Sequence, residues 1–517
     1  MKKLIVLFAV LALFGCNKTV NTPILTIEGG QIQGVTTDIP GVLVYRGIPY
    51  AAAPIGDLRW KEPQPVVPWQ GVRLCDRFGH PSYQAIQYPG GYYTEWGYGG
   101  EAPYSEDCLY ANVWTKASGH PEAKLPVALW IHGGGYREGF GSEPEFDAQE
   151  WGARDVVLVS INYRLGVFGF LTHPELAAES PHGVSGNYGI LDQIEALKWI
   201  KKNIAQFGGD PDNVMIFGQS AGAGSVKTLC ESPLARGLFH KAVIMSGGGL
   251  TVPQAAPAAP AATAARPAGM PAAAGRSGSM MSMMRRASTP AEAAQQVKEI
   301  MDWAGFTDLK KMRAAATETI HALGTIYNGA SGKFGYMTGS PMVDGYVSLE
   351  SFDAAAADGT LADVPYMIGY TLNDMGDMSG GIAAFCLNRE EKGNKAWAYE
   401  FARPLPDDGS HPEVTARLKG AFHSSDLWFV FKSLQHCWRP WTKGDWDLSE
   451  KMLTAWTNFA KYSDPNGPKG GAWQPCTEKN PKFMVFKLND KDAEASFFGD
   501  PEKAPQAQGF GFGGFGR

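Results

Sequence analysis

Short apolar runs alternate with a helical pattern in the first half of the chain. Residues 127–131 (VALWI) and 156–161 (VVLVSI) are continuously apolar, as expected of strands that are covered on both faces. Between residues 189 and 207, isoleucine and leucine recur at the spacing of a helix with one apolar face. This order of strand, strand and helix is typical of a layered α/β protein.

Four later apolar runs predict further strands of the same sheet. Repeated alternation of strands and helices predicts an α/β fold, with a mostly parallel central sheet flanked by helices on both faces. These runs are residues 214–217 (VMIF), 242–245 (AVIM), 366–368 and 483–486.

Two segments depart from this pattern. Residues 251–290 consist mainly of Ala, Pro, Gly, Ser and Met, with four arginines and no acidic residue. Such a composition buries too little apolar surface to order itself, so we predict a low-complexity surface insertion. A contact surface for a partner or an anionic polymer is the alternative. The glycine-rich end of the chain predicts a flexible tail over residues 491–517.

The N-terminus has the pattern of an export signal. Lys2 and Lys3 precede an apolar run over residues 4–14, which is typical of a secretory signal peptide. Leu13-Phe14-Gly15-Cys16 resembles a bacterial lipobox, in which the cysteine is lipidated and becomes the first residue of the mature chain. We therefore predict a lipoprotein signal over 1–15, a linker over 16–24 and one domain over 25–490. An ordinary cleaved signal is the alternative.

Composition excludes several classes of protein. The chain has 517 residues, 44% of them hydrophobic and 19% charged, which is enough apolar material for a large folded core. The net charge of −6 provides no field for nucleic acid, so no nucleic-acid partner is expected. We expect the protein to be exported from the cytoplasm. The lipid is expected to anchor it to a membrane, with the protein facing the periplasm or the cell surface.

The cysteines give no indication of a metal site. No two of them have the C-x-x-C spacing of zinc or redox sites, so we predict neither a metal nor another cofactor. After Cys16 the cysteines are Cys75, Cys108, Cys230, Cys386, Cys437 and Cys476.

Gly218-Gln219-Ser220-Ala221-Gly222 carries the strongest chemical signal. It follows the apolar run 214–217 and leads into a segment that is compatible with a helix. A G-x-S-x-G sequence between strand and helix is typical of a nucleophile elbow, in which small neighbours allow a sharp turn that exposes the serine. We therefore predict that Ser220 is a nucleophile.

A glycine-rich loop after another predicted strand supplies candidate oxyanion donors. His132-Gly133-Gly134-Gly135 follows the run 127–131, and glycines there allow backbone N–H groups to point at one oxygen. We predict that Gly134 and Gly135, together with the N–H of Ala221, form the oxyanion hole. His132 is interpreted as a structural loop residue rather than a base.

From about residue 25 to residue 488 the sequence resembles the type-B carboxylesterases. This α/β-hydrolase group includes bacterial para-nitrobenzyl esterases and the cholinesterases. The resemblance implies an α/β-hydrolase fold and a triad in the order serine, acid, histidine. The matching motifs are Arg46-Gly47-Ile48-Pro49-Tyr50-Ala51, Gly56-Asp57-Leu58-Arg59-Trp60, Ser105-Glu106-Asp107-Cys108-Leu109-Tyr110, Phe207-Gly208-Gly209-Asp210-Pro211 and Asp464-Pro465-Asn466.

The resemblance also implies the partners of the serine. Gly420-Ala421-Phe422-His423, with Asp426 and Leu427 after it, is similar to the segment that carries the base, which makes His423 the base. Asp374 stands where the family usually has glutamate, and Asp377 is the alternative acid. Ser246 matches a family serine that supports the acid residue without belonging to the triad.

Gln219 stands where cholinesterases carry glutamate, so a site for quaternary ammonium groups is not expected. The resemblance further implies a disulfide between Cys75 and Cys108 that closes a loop beside the active site. In this loop, aromatic rings are interleaved with glycines, which suits sugar rings or aryl groups, although packing on the protein body is the alternative. The aromatic residues are Tyr83, Tyr88, Tyr92, Tyr93, Trp96 and Tyr98.

The leading hypothesis is a serine carboxylesterase that acts through an acyl-enzyme on small-molecule or glycan-linked esters. The alternative is a non-catalytic, cholinesterase-like adhesion or binding module, because this family includes adhesion proteins without a triad. Retention of Ser220, His423, the glycine loop and a carboxylate favours the enzyme. A lipase or an amide hydrolase with the same machinery is a third hypothesis.

Overall fold

The computed structural model describes most of the predicted domain. It covers residues 22–86, 92–96, 103–252, 289–331, 339–489 and 493–498. The predicted signal peptide, the lipidation site Cys16, most of the linker, most of the insertion (253–288) and the end of the tail (499–517) lie outside the described residues. The predictions about those segments therefore remain predictions.

The strands form one large sheet and one small sheet. Across the large sheet the order is β14-β13-β12-β11-β10-β9-β7-β8-β6-β4-β3, and the small sheet has the order β1-β2-β5. The strands are β1 (Ile24–Ile27), β2 (Gly30–Gln33), β3 (Val35–Thr36), β4 (Leu43–Pro49), β5 (Val72–Leu74), β6 (Tyr110–Thr115), β7 (Leu125–Ile131), β8 (Val157–Ile161), β9 (Gly209–Gln219), β10 (Lys241–Met245), β11 (Tyr366–Thr371), β12 (Ala396–Phe401), β13 (Phe483–Leu488) and β14 (Ala493–Phe498).

The centre of the large sheet is parallel and its two edges are antiparallel. Neighbouring strands run parallel from β8 through β7, β9, β10, β11 and β12 to β13. At one edge β14 pairs antiparallel with β13, and at the other β6, β4 and β3 continue antiparallel from β8. The predicted mostly parallel sheet is confirmed. The described part of the predicted flexible tail forms β14, so the sheet continues beyond residue 490.

Helices cover both faces of the sheet, as predicted. They are α1 (Tyr92–Glu95), α2 (Gln149–Ala153), α3 (Gly166–Phe170), α4 (Pro174–Glu179), α5 (Tyr188–Asn203), α6 (Ala221–Glu231), α7 (Pro290–Trp303), α8 (Leu309–Ala314), α9 (Thr317–Ser331), α10 (Phe352–Asp358), α11 (Ser379–Glu391), α12 (Pro412–Thr415), α13 (Leu427–Phe431) and α14 (Lys443–Tyr462). Within the described ranges, no helix combines the length and the apolar character needed to cross a bilayer.

Alternate residues of the central strands pack into two separate cores. In β7, Leu129 belongs to the core that contains Leu197 of α5, whereas Trp130 belongs to the core that contains Trp456 of α14. Successive side chains of a strand point to opposite faces, so a fully apolar run such as 127–131 requires helices on both sides. A third, smaller core packs α7, α8 and α9 against Trp60 and α3.

The predicted Cys75–Cys108 disulfide is absent, and both residues are free thiols. Backbone hydrogen bonds place Cys75 beside Arg46 (2.9 Å) and Leu109 beside Tyr50 (3.2 Å). These two partners are four residues apart in the chain, so the backbones of Cys75 and Leu109 are held at different points along it.

Cys108 has a neighbour other than Cys75, and two further cysteines, Cys386 and Cys476, lie close together elsewhere in the fold. The Cys108 thiol lies beside Ser82, which also forms a β-bridge with Ser105. The base of the aromatic loop is therefore closed by these contacts without a disulfide. The thiols of Cys386 on α11 and of Cys476 lie close enough inside the core to influence each other's pKa.

The turn between β9 and α6 has the strained geometry expected of an elbow. Ser220 has φ +56° and ψ −121°. Residues other than glycine rarely adopt this backbone conformation, which costs about 1–3 kcal/mol. The turn is held by two backbone hydrogen bonds of 2.9 Å, from Ser220 N to Met245 O of β10 and from Gly224 N to Ser220 O. The surrounding sheet and helix thus impose this conformation on Ser220.

Gly222 is required because α6 passes very close to the end of β7. A Cβ atom on Gly222 would lie 2.0 Å from Ile131 O and 2.8 Å from His132 O. Both neighbours are backbone atoms at the end of a central strand, so neither can move without shifting the sheet. The glycine of the motif therefore sets the distance between the elbow and the glycine loop.

Replacing Gly222 by alanine should destabilise the fold. Overpacking against backbone costs on the order of 3 kcal/mol, so Gly222→Ala should lower the unfolding midpoint in urea and in thermal melts. Gly329→Ala on α9 is the matched control, since nothing lies within 4 Å of its added Cβ. Equal stability of the two variants would contradict the close approach of α6 to β7.

Candidate active site

Asp374 and His423 lie in direct contact although they are far apart in the chain. The two residues are separated by 49 positions, and His423 Nδ1 lies 2.6 Å from Asp374 Oδ1. Asp374 is completely buried and His423 is 6% exposed. The contact forms an acid and base pair that solvent barely reaches.

A small backbone bridge explains why these two residues meet. Asn373 N donates to Ala421 O (2.9 Å), and Ala421 N donates to Asn373 Oδ1 (2.9 Å). A Cβ atom on Gly420 would lie 2.1 Å from Asn373 Oδ1, so glycine allows the two segments to touch. The bridge pairs Asn373 with Phe422, so the next residues of the two segments, Asp374 and His423, lie side by side.

Several donors hold the Asp374 carboxylate. Its Oδ2 accepts hydrogen bonds from Thr371 Oγ1 (3.0 Å) and Thr371 N (3.3 Å), and its Oδ1 accepts one from Met375 N (2.8 Å). Burial by itself raises the pKa of Asp374, but the adjacent His423, the nearby Ser246 hydroxyl and the Met375 N–H outweigh burial and lower the pKa. Asp374 is therefore a carboxylate at neutral pH.

The alternative acid, Asp377, has a different role in the structure. Its Oδ1 accepts hydrogen bonds from Ser379 N (2.9 Å) and Ser379 Oγ (2.6 Å) at the start of α11. These are typical contacts of an aspartate that forms a local turn with the residue two positions later. Of the two candidate acids, Asp374 is the one that hydrogen-bonds with His423.

Asp426 is a second buried carboxyl group beside the pair. In the sequence it stands out only as part of the motif around His423. Its Oδ2 accepts a hydrogen bond from Tyr399 OH (3.1 Å). Burial, reinforced by the charge of Asp374, raises the pKa of Asp426 to about 7. Below that pH it is mostly protonated, so it adds little charge beside Asp374 and His423.

His423 directs its other ring nitrogen towards the elbow. Its Nε2 lies 3.2 Å from Nε2 of Gln219, the residue immediately before Ser220. When Nδ1–H donates to Asp374, Nε2 carries the lone pair and accepts from the Gln219 amide. The basic nitrogen of His423 therefore lies next to the strained turn of Ser220.

The glycine loop lies against the same turn. A Cβ atom on Gly133 would lie 2.7 Å from Gln219 O and 3.2 Å from Ser220 Cβ. Gly134 (φ +96°) and Gly135 (φ +63°) both have left-handed backbone conformations. Within the described residues, no acceptor takes a hydrogen bond from the N–H groups of Gly134 and Gly135. Ala221 begins α6, so its N–H has no partner within the helix.

His132 is part of the core beneath this loop. Its ring stacks on Tyr163 with a centroid distance of 4.5 Å, and Nδ1 lies 2.9 Å from Gly133 O. Burial lowers the pKa of His132 to about 4, so the ring is neutral at neutral pH. Its position agrees with a structural role.

The described aromatic side chains of the loop pack on the protein body. Tyr83 contacts the rings of Phe168 (5.9 Å) and His321 (5.2 Å), and Trp96 packs against the core of α14. Tyr88, Tyr98 and the side chains of Tyr92 and Tyr93 lie outside the described residues. In the described parts of the chain, no group of three or more His, Cys, Asp or Glu side chains is arranged to hold a metal ion.

The chain is similar in sequence to known esterases. The carboxylesterase family model matches residues 21–383 and 378–500. Para-nitrobenzyl esterase of Bacillus subtilis is 31% identical over 504 residues, covering 93% of this chain and 96% of that protein. Fumonisin B1 esterase of Sphingopyxis macrogoltabida is 43% identical over 222 residues, which span 43% of this chain and 39% of that protein.

Solved structures of esterases share the fold. A thermophilic PNB esterase is 26% identical with a TM-score of 0.72, over 93% of this chain and 99% of that chain. A carboxylesterase of Geobacillus stearothermophilus is 28% identical with a TM-score of 0.69, over 92% and 97% of the two chains. The chain belongs to the carboxylesterase family of α/β-hydrolases and is a carboxylic ester hydrolase.

Proposed function

We propose that the protein hydrolyses esters through an acyl-enzyme formed on Ser220. His423 Nε2 removes the hydroxyl proton while Ser220 Oγ attacks the ester carbonyl carbon. The tetrahedral intermediate collapses, the bond to the alcohol oxygen breaks, and His423 returns the proton to the leaving alcohol. Water then repeats the sequence, releasing the carboxylic acid and free Ser220.

In this proposal Asp374 and the backbone donors stabilise charges that develop during the reaction. Asp374 accepts Nδ1–H of His423, which keeps the useful tautomer and stabilises the imidazolium. The N–H groups of Gly134, Gly135 and Ala221 donate to the oxyanion. Ser246 supports the Asp374 carboxylate, and Gln219 orients the imidazole when no substrate is bound.

One observation carries the proposal more than any other. The buried contact of 2.6 Å between His423 and Asp374 leaves the basic nitrogen of His423 beside the turn of Ser220. An adhesion or binding module has no use for an ionised buried acid that orients a histidine at a strained serine. The alternative of a non-catalytic module is therefore disfavoured.

The proposed substrates are small-molecule or glycan-linked esters. Two relatives are named for para-nitrobenzyl esters and for fumonisin B1, and a third is acylcarnitine hydrolase of Mus musculus. We further propose that the enzyme is exported and anchored by a lipid on Cys16. Turnover of acetyl, butyryl, feruloyl and long-chain esters would separate carboxylesterase from lipase activity.

Replacing Ser220 by alanine should abolish turnover and preserve the fold. A triad serine typically contributes a factor of ~10⁶ to turnover. The assay is hydrolysis of para-nitrophenyl acetate. Ser410→Ala in an exposed loop is the control and should retain activity. After treatment with an organophosphonate, mass spectrometry should locate the adduct on Ser220, and an adduct on another serine would refute the assignment.

Replacing Asp374 by asparagine should lower turnover by about 10⁴, because the amide favours the wrong tautomer of His423. The matched control is Asp377→Asn, which should stay near wild-type turnover because Asp377 hydrogen-bonds with Ser379 and not with His423. The reverse result, an active Asp374→Asn and an inactive Asp377→Asn, would assign the acid to Asp377.

A further inference from the structure

The loop that carries the proposed oxyanion donors lacks regular secondary structure. Between the end of β7 and residue 141 the chain is in neither helix nor strand. Its shape must therefore come from individual contacts rather than from a hydrogen-bonded ladder. Tyr163 OH donates to His132 O (2.9 Å) where the loop begins, and Arg137 N donates to Gly134 O (3.0 Å) within it.

The side chain of Gln84 holds the returning half of this loop. Gln84 Nε2 donates to Gly139 O (3.0 Å), and Gly139 N donates to Gln84 Oε1 (2.9 Å). One amide side chain thus satisfies both backbone groups of a residue 55 positions away, and Gln84 is only 3% exposed. Such a reciprocal pair fixes position and direction together, as a pair of strand residues does.

Gly139 is the point at which the loop closes on its own start. It has φ +102°, and a Cβ atom there would lie 2.7 Å from His132 Nδ1 and 3.0 Å from Gly133 O. Gly139 therefore packs directly under the residues that precede Gly134 and Gly135. A shift of Gly139 would therefore displace His132 and Gly133, and with them the proposed donors Gly134 and Gly135.

Gln84 is itself held firmly by its surroundings. Its Nε2 also donates to Ser82 O (3.1 Å), and Ser82 Oγ accepts a hydrogen bond from Leu165 N (3.1 Å). Ser82 in turn bridges Ser105. The amide therefore extends from a braced part of the aromatic loop and not from a freely moving surface segment.

Other contacts also hold the loop: Gly166 N donates to Tyr136 O (2.7 Å) directly after Gly135, and two side chains act beyond Gly139. Glu143 Oε1 accepts from Phe140 N (2.9 Å), and Asn162 Oδ1 accepts from Gly141 N (2.7 Å). These contacts hold the chain as it leaves the loop. Gln84 alone among these side chains binds the residue that packs under His132 and Gly133.

We infer that Gln84 is a positioning residue for the oxyanion hole and that it ties the aromatic loop to the donors of Gly134 and Gly135. The inference rests on the proposed function. Oxyanion donors work only within about 2.7–3.1 Å of the developing charge, and losing one typically costs 10²–10³ in kcat. A displaced loop should therefore weaken transition-state binding more than substrate binding.

The test compares two glutamines replaced by methionine, which has a similar length and no amide. Gln84→Met should lower kcat for para-nitrophenyl acetate by about 10–100-fold with little change in KM. Its affinity for a trifluoromethyl ketone, which mimics the tetrahedral oxyanion, should fall by a similar factor. Gln64→Met is the control, because that side chain bonds only to exposed backbone.

Titration of active sites with an organophosphonate separates positioning from loss of folded protein. A merely structural role predicts fewer titratable sites with normal kcat per site and normal inhibitor affinity, and this result would overturn the inference. Gln84→Glu provides a second variant, because a protonated carboxyl group has one donor and one acceptor for Gly139. Its kcat relative to Gln84→Met should rise as the pH is lowered, and a constant ratio would contradict the clamp.

Failure of this inference and failure of the proposed function give different results. If Ser220→Ala keeps its activity, the proposed function is wrong whatever Gln84 does. If Ser220→Ala is inactive while Gln84→Met has wild-type kcat and inhibitor affinity, only the role of Gln84 is refuted.

Discussion

The close approach of β7, β9 and β10 at their carboxyl ends is the constraint on which the site depends. Ser220 is held at φ +56° because its N–H bonds to the end of β10, while Gly222 lies against the end of β7. The same contact places Gly133 on Gln219 and Ser220. A single strained turn therefore brings together the serine, the glycine loop and, through β10, Ser246. Packing in the large apolar cores on both faces of the sheet compensates for the free-energy cost of this strained turn.

Two buried carboxyl groups beside one imidazole could both ionise, and the structure separates their behaviour by hydrogen bonding. Asp374 has donors around both oxygens, and its pKa is lowered despite burial. Asp426 has a tyrosine hydroxyl as its partner, and burial raises its pKa to about 7. Below about pH 7, Asp374 is therefore ionised beside His423 while Asp426 is mostly protonated. A single carboxylate suits a base that must alternate between neutral and charged forms.

The aromatic loop is connected to the site through polar backbone contacts as well as through its rings. The disulfide expected from the resemblance is replaced at the base of this loop by the contact of Cys108 with Ser82 and by the bridge of Ser82 with Ser105. From this base the Gln84 amide reaches the glycine loop. The described rings of Tyr83 and Trp96 pack on the protein body.

Local patterns in the sequence determined most of the fold and the nucleophile. The apolar runs at 127–131 and 214–217 correspond to β7 and β9, because a strand buried on both faces must be apolar throughout. The G-x-S-x-G sequence and the glycine loop were also recognisable, since a tight turn restricts residue type within a few positions. Asp374 and His423 were found only through resemblance to a family, because their spacing in the chain has no meaning before the chain folds.

Tertiary structure alone decided the contacts between distant segments. Cys75 and Cys108 are free thiols in the folded chain, which no count of cysteines reveals. Strand β14 is the antiparallel partner of β13, a long-range pairing that the local sequence did not reveal. Asp426 and Gln84 have ordinary local sequences, and their roles arise from burial and from partners tens of residues away. Burial and long-range hydrogen bonding are properties of the folded chain, so they became visible only when the structure placed these residues together.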